Sequence, residues 1–335
     1  MRNYRLYFFE FTFALLIIFA HLNFPAGELY LDSFGRITVI FFFILSGYFY
    51  TRTLNKEDFS YKSTLKRCLR LFLMAVSIII VYCAVFIPIK WVELGTPKMF
   101  SESFNWSNIV YFFDHYIPKL SFLWFIFALI LCYLLYPLLY KVRWFKENKY
   151  SIIVPLIILL SIYVYRIFCN QYDWGFFSSY QATRNFLLTG LPCFLISSYI
   201  YHHEKEIKRI NPKAFYLSII CLLGLMMVEA FYHDVTSGKP NEFYISSLAI
   251  AVLTFIYCIQ NPEFRFGKWL DNVFGSTGST IIYLYHMFFA QLLYVLYNIH
   301  WGVMLIVLCA DICAILLALV YNFFKTKYLK RKQSI

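Results

Sequence analysis

Long apolar stretches separated by short polar segments dominate the hydropathy pattern of the chain. Many stretches reach about 18 residues, the length at which a helix crosses the hydrocarbon core of a bilayer. Their apolar residues run continuously and do not alternate with polar ones, which excludes the strands of a membrane barrel. Because backbone polar groups in lipid must be satisfied within the segment, the pattern predicts an all-α membrane protein. Its transmembrane helices, about ten in number, are expected at 6–24, 36–51, 69–89, 121–140, 150–168, 185–201, 214–232, 243–260, 273–297 and 301–324.

The composition supports a membrane protein. Hydrophobic residues make up 61% of the 335 residues and charged residues only 14%, whereas a soluble domain carries roughly 25% charged residues. The formal net charge is +12, but the basic residues lie in short segments between apolar blocks, which argues against nucleic acid as a partner. The nine cysteines show neither metal-ligand spacing nor a disulfide framework, so we expect no metal site.

The distribution of basic residues predicts the orientation in the membrane. Lys and Arg concentrate in every second polar segment, counted from the N-terminus. These segments are 52–67, 141–149, 202–213 and the short tail 325–335. The positive-inside rule places them, and both chain termini, in the cytoplasm. Segment 261–272 is the weakest member, because Glu263 and Asp271 offset its Arg265 and Lys268.

We expect one membrane domain over residues 1–335. The first apolar block, with Arg2 and Arg5 before it, is similar to a signal peptide. However, no small-residue cleavage site follows, and the block is long enough to span, so we interpret it as a retained helix. The segment 90–120 on the outer side is rich in aromatic residues, which favour the headgroup region. We expect part of it to lie along the outer membrane interface.

Ionisable residues inside the predicted helices are the first candidates for function, because they cost several kcal/mol in lipid unless paired or hydrated. They are Glu10, His21, Arg36, Arg166, Arg184, Glu229, His286 and Asp311. Glu10 and His21 are eleven residues apart, almost three α-helical turns, so both are expected on one face of the first helix. His21 is a candidate general base for a hydroxyl, since histidine exchanges protons near neutral pH. The alternative is a histidine hydrogen-bonded to a neighbouring helix.

The other intramembrane residues also allow two interpretations. Arg36 and Arg184 are expected at outer helix ends, where each is suited to a carboxylate, phosphate or pyrophosphate ligand or to snorkelling towards the headgroups. Glu229 and Asp311 are candidate ion-pair partners for these arginines, or they pair with backbone groups and water. His286 lies in the middle of an apolar block, either as a site residue or as an interhelical hydrogen-bonding group.

A cationic group, Lys66, Arg67 and Arg70, lies at the start of the third predicted helix. Arg67 and Arg70 are three residues apart and share a helix face. Two arginines in this arrangement match a bound phosphate. The alternative is a positive-inside cluster that contacts anionic lipid.

Several short motifs occur in the order found in a known family. They are His21 near the end of the first helix, GRITVIFFFILSGYFY at 35–50, Arg67 and Arg70, Leu-Trp-Phe at 123–125, RNFLLTGLPCFLISSY at 184–199, and YLYH at 283–286. Together they resemble the integral-membrane acyltransferase-3 family, which includes bacterial polysaccharide and peptidoglycan O-acetyltransferases. The resemblance covers nearly the whole chain.

This resemblance implies ten core helices, a cytoplasmic acetyl-CoA or other acyl-CoA donor, and a hydroxyl acceptor on a cell-surface or lipid-linked glycan. It implies that His21 is the essential histidine and that Arg36, Arg184 and His286 line a central cavity. Lys66, Arg67 and Arg70 would hold the CoA phosphates. The chain departs from the family at Glu10, where an arginine is usual. Glu10 then either orients His21, as a carboxylate orients imidazole in hydrolase triads, or marks a member without transferase activity.

Three functions are consistent with these features. The first is a membrane acyltransferase in a bacterial cytoplasmic membrane that meets its acceptor directly or through a separate extracytoplasmic partner protein. The second is a transporter of a small solute or lipid-linked glycan, in which the buried charges form a solute path. The third is an accessory membrane protein whose polar residues serve packing alone. The family resemblance favours the acyltransferase.

Overall fold

The structure is a computed structural model that describes residues 2–21, 30–57, 59–94, 123–142, 144–145, 148–172, 184–237, 244–297 and 303–333. These residues form helices and turns, with no strand among them. The chain divides into two compact units, Met1–Phe42 with His203–Ile335, and Phe43–His202. The first boundary falls inside a helix. The expectation of a single functional domain stays a prediction.

The first unit contains the N-terminal helix and the C-terminal half of the chain. Helix α1 (Tyr4–Leu16) continues into a 3₁₀ turn (Ile17–Ala20) that ends at His21. The C-terminal helices of this unit are α7 (Glu204–Ile207), α8 (Pro212–Ser237), α9 (Ile245–Gln260), α10 (Arg265–Phe274), α11 (Gly278–Tyr297) and α12 (Val303–Gln333). Helices α11 and α12 form one packed pair, and α8 and α9 form another.

The second unit contains the helices between these segments. They are the second half of α2 (Tyr30–Leu54), then α3 (Tyr61–Leu94), α4 (Trp124–Tyr140), α5 (Ile153–Tyr172) and α6 (Leu191–His202). A π-helical turn, Phe186–Gly190, leads into α6. Gly190 packs against α4 so closely that a Cβ atom there would lie 2.4 Å from the Cys132 sulfur. This glycine therefore allows the turn to lie directly on α4.

Each of the ten predicted segments coincides with a helix, and the all-helical fold class is confirmed for the described residues. Among these residues, four helices are long and apolar enough to cross a membrane: Leu31–Leu54, Tyr61–Phe86, Pro212–His233 and Met304–Tyr328. A fifth span follows if Ile245–Gln260 and Arg265–Leu293, bent by 95°, count as one. The chain is a multi-pass membrane protein. Ten spans and cytoplasmic termini stay predictions.

Burial distinguishes α2 from the other three long apolar helices. The most apolar window of α2 is 56% buried, whereas those of α3, α8 and α12 are 17%, 17% and 22% buried. The exposed side chains on the latter three helices are mostly large and apolar, as in Leu73, Val228 and Leu316. This arrangement suits helices whose outer faces contact hydrocarbon. Helix α2, which carries Arg36, is therefore the described span best shielded from lipid.

The structure differs from the sequence predictions at several helix ends. Helix α2 begins at residue 30 rather than 36, so Asp32 lies in its first turn, where the helix dipole favours a negative charge. Helix α12 continues to Gln333, because the tail contains no Gly or Pro before that residue to stop it. Segment 261–272 contains most of the unpredicted amphipathic helix α10, which ends at Phe274. Of the predicted interfacial segment 90–120, residues 90–94 extend α3 and the rest lie outside the described residues.

Candidate active site

Two histidines that lie far apart in the sequence face each other in the first unit. The ring centroids of His21 and His286 are 5.7 Å apart, and the ring planes are nearly parallel at 28°. His286 is fully buried in α11, and its Nδ1 lies 3.3 Å from the carbonyl oxygen of Ile282 one turn earlier. His21 is half-buried at the end of the 3₁₀ turn. The pair combines a fixed imidazole with a more accessible one.

A close helix contact brings α2 to the same turn. A Cβ atom on Gly35 would lie 2.4 Å from the backbone nitrogen of Ala20 and 2.5 Å from its Cβ. Only a residue without a side chain fits this approach. Since Gly35 precedes Arg36 and Ala20 precedes His21, the contact brings the backbone of Arg36 beside the segment that carries His21.

Arg36 forms a buried ion pair within its own helix. Its Nε donates to Oδ2 of Asp32 at 2.8 Å, and its Nη2 donates to Oδ1 at 2.7 Å. Both residues are almost fully buried, at 7% and 2% exposure. The interpretation of Arg36 as a residue snorkelling from a helix end, or paired with Glu229 or Asp311, is wrong. The correct partner was missed because the predicted helix began after Asp32.

The two acidic residues proposed as partners have other environments. Glu229 caps the N-terminus of α9: its carboxylate accepts from the backbone nitrogen of Ile245 at 2.9 Å and from the hydroxyl of Ser246 at 2.5 Å. A carboxylate at a helix N-terminus satisfies unpaired N–H groups and the helix dipole. Asp311 lies on α12, and its buried Oδ1 has no hydrogen-bond partner among the described residues.

Glu10 lies in the middle of α1 and interacts with charged groups near the start of this helix. The charges that act on it are those of Arg2 and Asp271, which themselves form an ion pair at 2.6 Å. The rise from Glu10 to His21 is about 17 Å, longer than a glutamate side chain spans. In addition, the 3₁₀ turn before His21 breaks the α-helical spacing on which a shared face depended. Glu10 therefore forms no direct hydrogen bond to His21, and its catalytic role stays a prediction.

Arg184 lies in the second unit, at the start of the π-helical turn. The side chain of the next residue, Asn185, accepts a hydrogen bond from the backbone nitrogen of Leu188 at 2.8 Å and fixes this turn. Arg184 is half-buried there. The side chain of Arg166 lies outside the described part of the chain.

The cationic group of α3 has one half-buried and two exposed members. Lys66 and Arg70 are exposed, whereas Arg67 is half-buried. The guanidinium carbon of Arg67 lies 5.3 Å from the ring centroid of Tyr50 and 5.1 Å from that of Tyr133. Arginine over an aromatic face is a favourable cation–π arrangement. We call Arg67 with these two rings the arginine cradle.

Hydrogen bonds hold the cradle rigid. The hydroxyl of Tyr50 donates to the carbonyl oxygen of Tyr133 at 2.9 Å and lies 2.7 Å from the hydroxyl oxygen of Thr64. Sequence reasoning missed these tyrosines. The signal for Tyr133 was its spacing with Tyr136 and Tyr140 on α4, which places three hydroxyl-bearing rings on one helix face.

No group of three or more His, Cys, Asp or Glu side chains within the described ranges is placed to hold a metal ion. The His21–His286 pair supplies imidazoles in the first unit, and the arginine cradle supplies a fixed guanidinium in the second. A histidine can move a proton, and a guanidinium can bind a phosphate. The fold and these groups define a helical membrane protein whose side chains can transfer a proton and bind a phosphate.

The family follows from a comparison with known proteins. The acyltransferase-3 family model, described as an acyltransferase domain, matches residues 4–323. The chain belongs to this family and is a membrane acyltransferase in the general sense. Neither a curated protein nor a solved structure matches it significantly.

Proposed function

We propose that the protein transfers an acyl group, with acetyl the expected one, from cytoplasmic acyl-CoA to a hydroxyl of a cell-surface or lipid-linked glycan. The observation that carries this proposal is the pairing of His21 with His286, 5.7 Å between ring centroids, in a chain of the acyltransferase-3 family. A histidine with a second imidazole beside it is suited to move the one proton that O-acylation requires.

In the proposed reaction, His21 takes the proton of the acceptor hydroxyl while the hydroxyl oxygen attacks the carbonyl carbon of the thioester. The new C–O bond gives a tetrahedral intermediate with a negatively charged oxygen, which nearby cations or N–H donors stabilise. The C–S bond then breaks, and the CoA thiolate receives the proton from His21. The products are the O-acyl ester and free CoA.

The remaining predicted residues have positioning and electrostatic roles in this proposal. His286 is held by its own helix and positions the ring of His21. Arg36 is neutralised by Asp32, so it contributes directed N–H groups rather than a free charge. Arg184 is the candidate for the electrostatic partner of the oxyanion. Glu10 sets the charge around the start of α1 together with Arg2 and Asp271.

Lys66, Arg67 and Arg70 are proposed to bind the phosphates of the CoA donor. The three residues lie within an arc of about 100° on α3. In the described part of the chain, no carboxylate lies within ion-pair distance of any of them. Their charges are therefore available for an anion, and the arginine cradle holds one of them in a fixed position.

The proposed setting is a bacterial cytoplasmic membrane with the donor site on the inner side, as the basic segments favour. The acceptor glycan is then reached directly or through a separate extracytoplasmic protein. The second candidate function is transport of a small solute or lipid-linked glycan, in which the buried charges form a solute path. Uptake of labelled solute without any covalent product would identify a transporter.

The decisive experiment compares cells that produce wild type with cells that produce His21→Ala. The readout is alkali-labile acetate on the envelope glycan, together with the amount of folded protein in the membrane. Because general base catalysis contributes about 10²- to 10⁴-fold, we expect His21→Ala to lose the acetate with no loss of protein. His233→Ala is the matched control, since it removes another buried histidine of the same unit. Wild-type acetylation by His21→Ala would refute the assignment.

A further inference from the structure

Three helices of the second unit end together in a polar aromatic cluster. Asn55 follows α2, Tyr140 ends α4, and Tyr201 and His202 end α6. The amide nitrogen of Asn55 donates to the hydroxyl of Tyr201 at 3.3 Å, and its Oδ1 accepts from the hydroxyl of Tyr140 at 3.3 Å. We call these four residues the helix-end cluster. By the predicted topology, it faces the cytoplasm.

The cluster presents a flat aromatic surface beside an amide. The rings of Tyr140 and His202 are nearly parallel, at 17°, with 6.0 Å between centroids, and the Tyr140 hydroxyl lies 3.5 Å from Nε2 of His202. The Tyr140 hydroxyl thus lies between Asn55 and His202 and positions both. Tyr140 is buried, whereas Asn55 is exposed and His202 half-exposed. The accessible groups are therefore the amide of Asn55 and, in part, the rings of His202 and Tyr201.

These accessible groups have the chemistry of an adenine site. Aromatic and imidazole faces stack on nucleic-acid bases, and an asparagine amide matches the donor and acceptor on the edge of adenine. The two bonds of Asn55 are long and use one N–H and one lone pair, while the amide has a second of each.

A ladder of tyrosine rings connects this cluster to the arginine cradle. Tyr133 contacts Tyr50 at 4.7 Å, Tyr50 contacts Tyr136 at 6.1 Å, and Tyr136 contacts Tyr140 at 5.9 Å between ring centroids. The rise along α4 from Tyr133 to Tyr140 is about 10 Å. A nucleotide of extended shape places its base and its diphosphate at two separated points of this kind.

We propose that the helix-end cluster binds the adenine ring of the acyl-CoA donor, with His202 stacking on the base and Asn55 bonding to its edge. Tyr140 is a positioning residue for both. The donor would then enter with its base at the helix ends and its diphosphate at Arg67. This inference rests on the proposed function, because it assigns a part of the same donor.

The test measures binding to the purified full chain in lipid nanodiscs by calorimetry. The two probes are CoA and 4′-phosphopantetheine, which lacks the nucleotide. We expect His202→Ala to weaken CoA binding about tenfold, the scale of one lost base stack, and to leave 4′-phosphopantetheine binding unchanged. His202→Phe keeps a ring and should bind CoA nearly as wild type does. Tyr140→Phe, which removes only the positioning hydroxyl, should weaken CoA binding a few-fold.

Each result separates this inference from the proposed function. If His202→Ala and Asn55→Ala bind CoA as tightly as wild type, the adenine site is refuted and the CoA donor stands. If His202→Ala weakens both probes equally, the cluster only holds the helix ends together, and the adenine site is again refuted. If wild type binds neither probe while His21 still proves essential for acetylation, the donor is not CoA. The adenine site and the CoA donor are then both refuted.

Discussion

Two arginines of the chain, Arg36 in the first unit and Arg67 in the second, are held in opposite ways. Arg36 is nearly fully buried and bonded through two nitrogens to Asp32 of its own helix. Arg67 is half-buried and lies against the faces of Tyr50 and Tyr133. A carboxylate cancels the charge of a guanidinium, whereas aromatic faces hold the group in place and leave its charge intact.

The different surroundings of Arg36 and Arg67 indicate which of the two can bind an anion. A ligand phosphate at Arg36 would compete with a carboxylate that is already in place and shielded from water. At Arg67 it would meet an oriented guanidinium, with Lys66 and Arg70 on the neighbouring surface. Substitutions at Arg36 should therefore act on stability and local geometry, and those at Arg67 on donor binding.

The largest expected effect comes from removing the partner of Arg36. Asp32→Ala leaves a buried guanidinium without its carboxylate, which costs about 3–5 kcal/mol. We expect a markedly lower melting temperature in detergent and little folded protein in the membrane. The double variant Asp32→Ala/Arg36→Leu removes both charges and should recover most of the stability. A single variant as stable as wild type would contradict the central place of this ion pair.

A smaller effect is expected at Gly35, where α2 meets the turn before His21. Gly35→Ala places a Cβ atom 2.4 Å from the backbone of Ala20, and overpacking of this kind costs about 1–3 kcal/mol. We expect lower thermal stability and lower acetylation, because the turn that carries His21 must shift. Gly224→Ala is the matched control, since nothing lies within 4 Å of its added Cβ. Equal behaviour of the two variants would argue against a close contact at Gly35.

The sequence was sufficient to locate the helices because apolar length is a local property of the chain. The partner of Arg36 depended on where α2 begins, because Asp32 lies in the first turn of this helix and is a polar residue that the apolar pattern excludes. The 3₁₀ turn before His21 is as apolar as the α-helix before it, so hydropathy does not distinguish the two and the predicted shared face with Glu10 was not reliable. Helix ends, rather than helix centres, therefore decided these interactions.

The candidate site could be predicted in part. His21 and His286 were identifiable one by one as intramembrane histidines, but their ring contact depends on how α1 and α11 pack. Arg67 was identifiable as a cation on a helix face, but the two rings that hold it come from α2 and α4. Contacts between segments far apart in sequence are set by tertiary packing, which no local pattern contains.

A third prediction tests whether the arginine cradle needs a planar guanidinium. Arg67→Lys keeps the positive charge but loses the flat group that lies against Tyr50 and Tyr133, an interaction worth about 1 kcal/mol. Because the lysine charge is no longer held in one position, we expect acetyl-CoA to bind about fivefold more weakly by calorimetric titration, with only a small loss of thermal stability. Unchanged binding would mean that charge alone matters at this position, and the contrast with Arg36 would lose its basis.

The smallest expected effect is at Arg70, which is exposed and has no ring beneath it in the described structure. Exposed ionic contacts contribute about 0.2–1 kcal/mol and weaken with salt. Arg70→Ala should therefore weaken acetyl-CoA binding by a few-fold at low ionic strength, and the difference from wild type should nearly vanish at high salt. Arg67→Lys should keep its deficit at both salt concentrations, because a stacking contact is screened much less. Arg52→Ala removes one exposed positive charge of the same unit outside α3 and serves as the control. If Arg52→Ala weakens acetyl-CoA binding as much as Arg70→Ala does, the weaker binding is due to the net charge of the unit rather than to a site on α3.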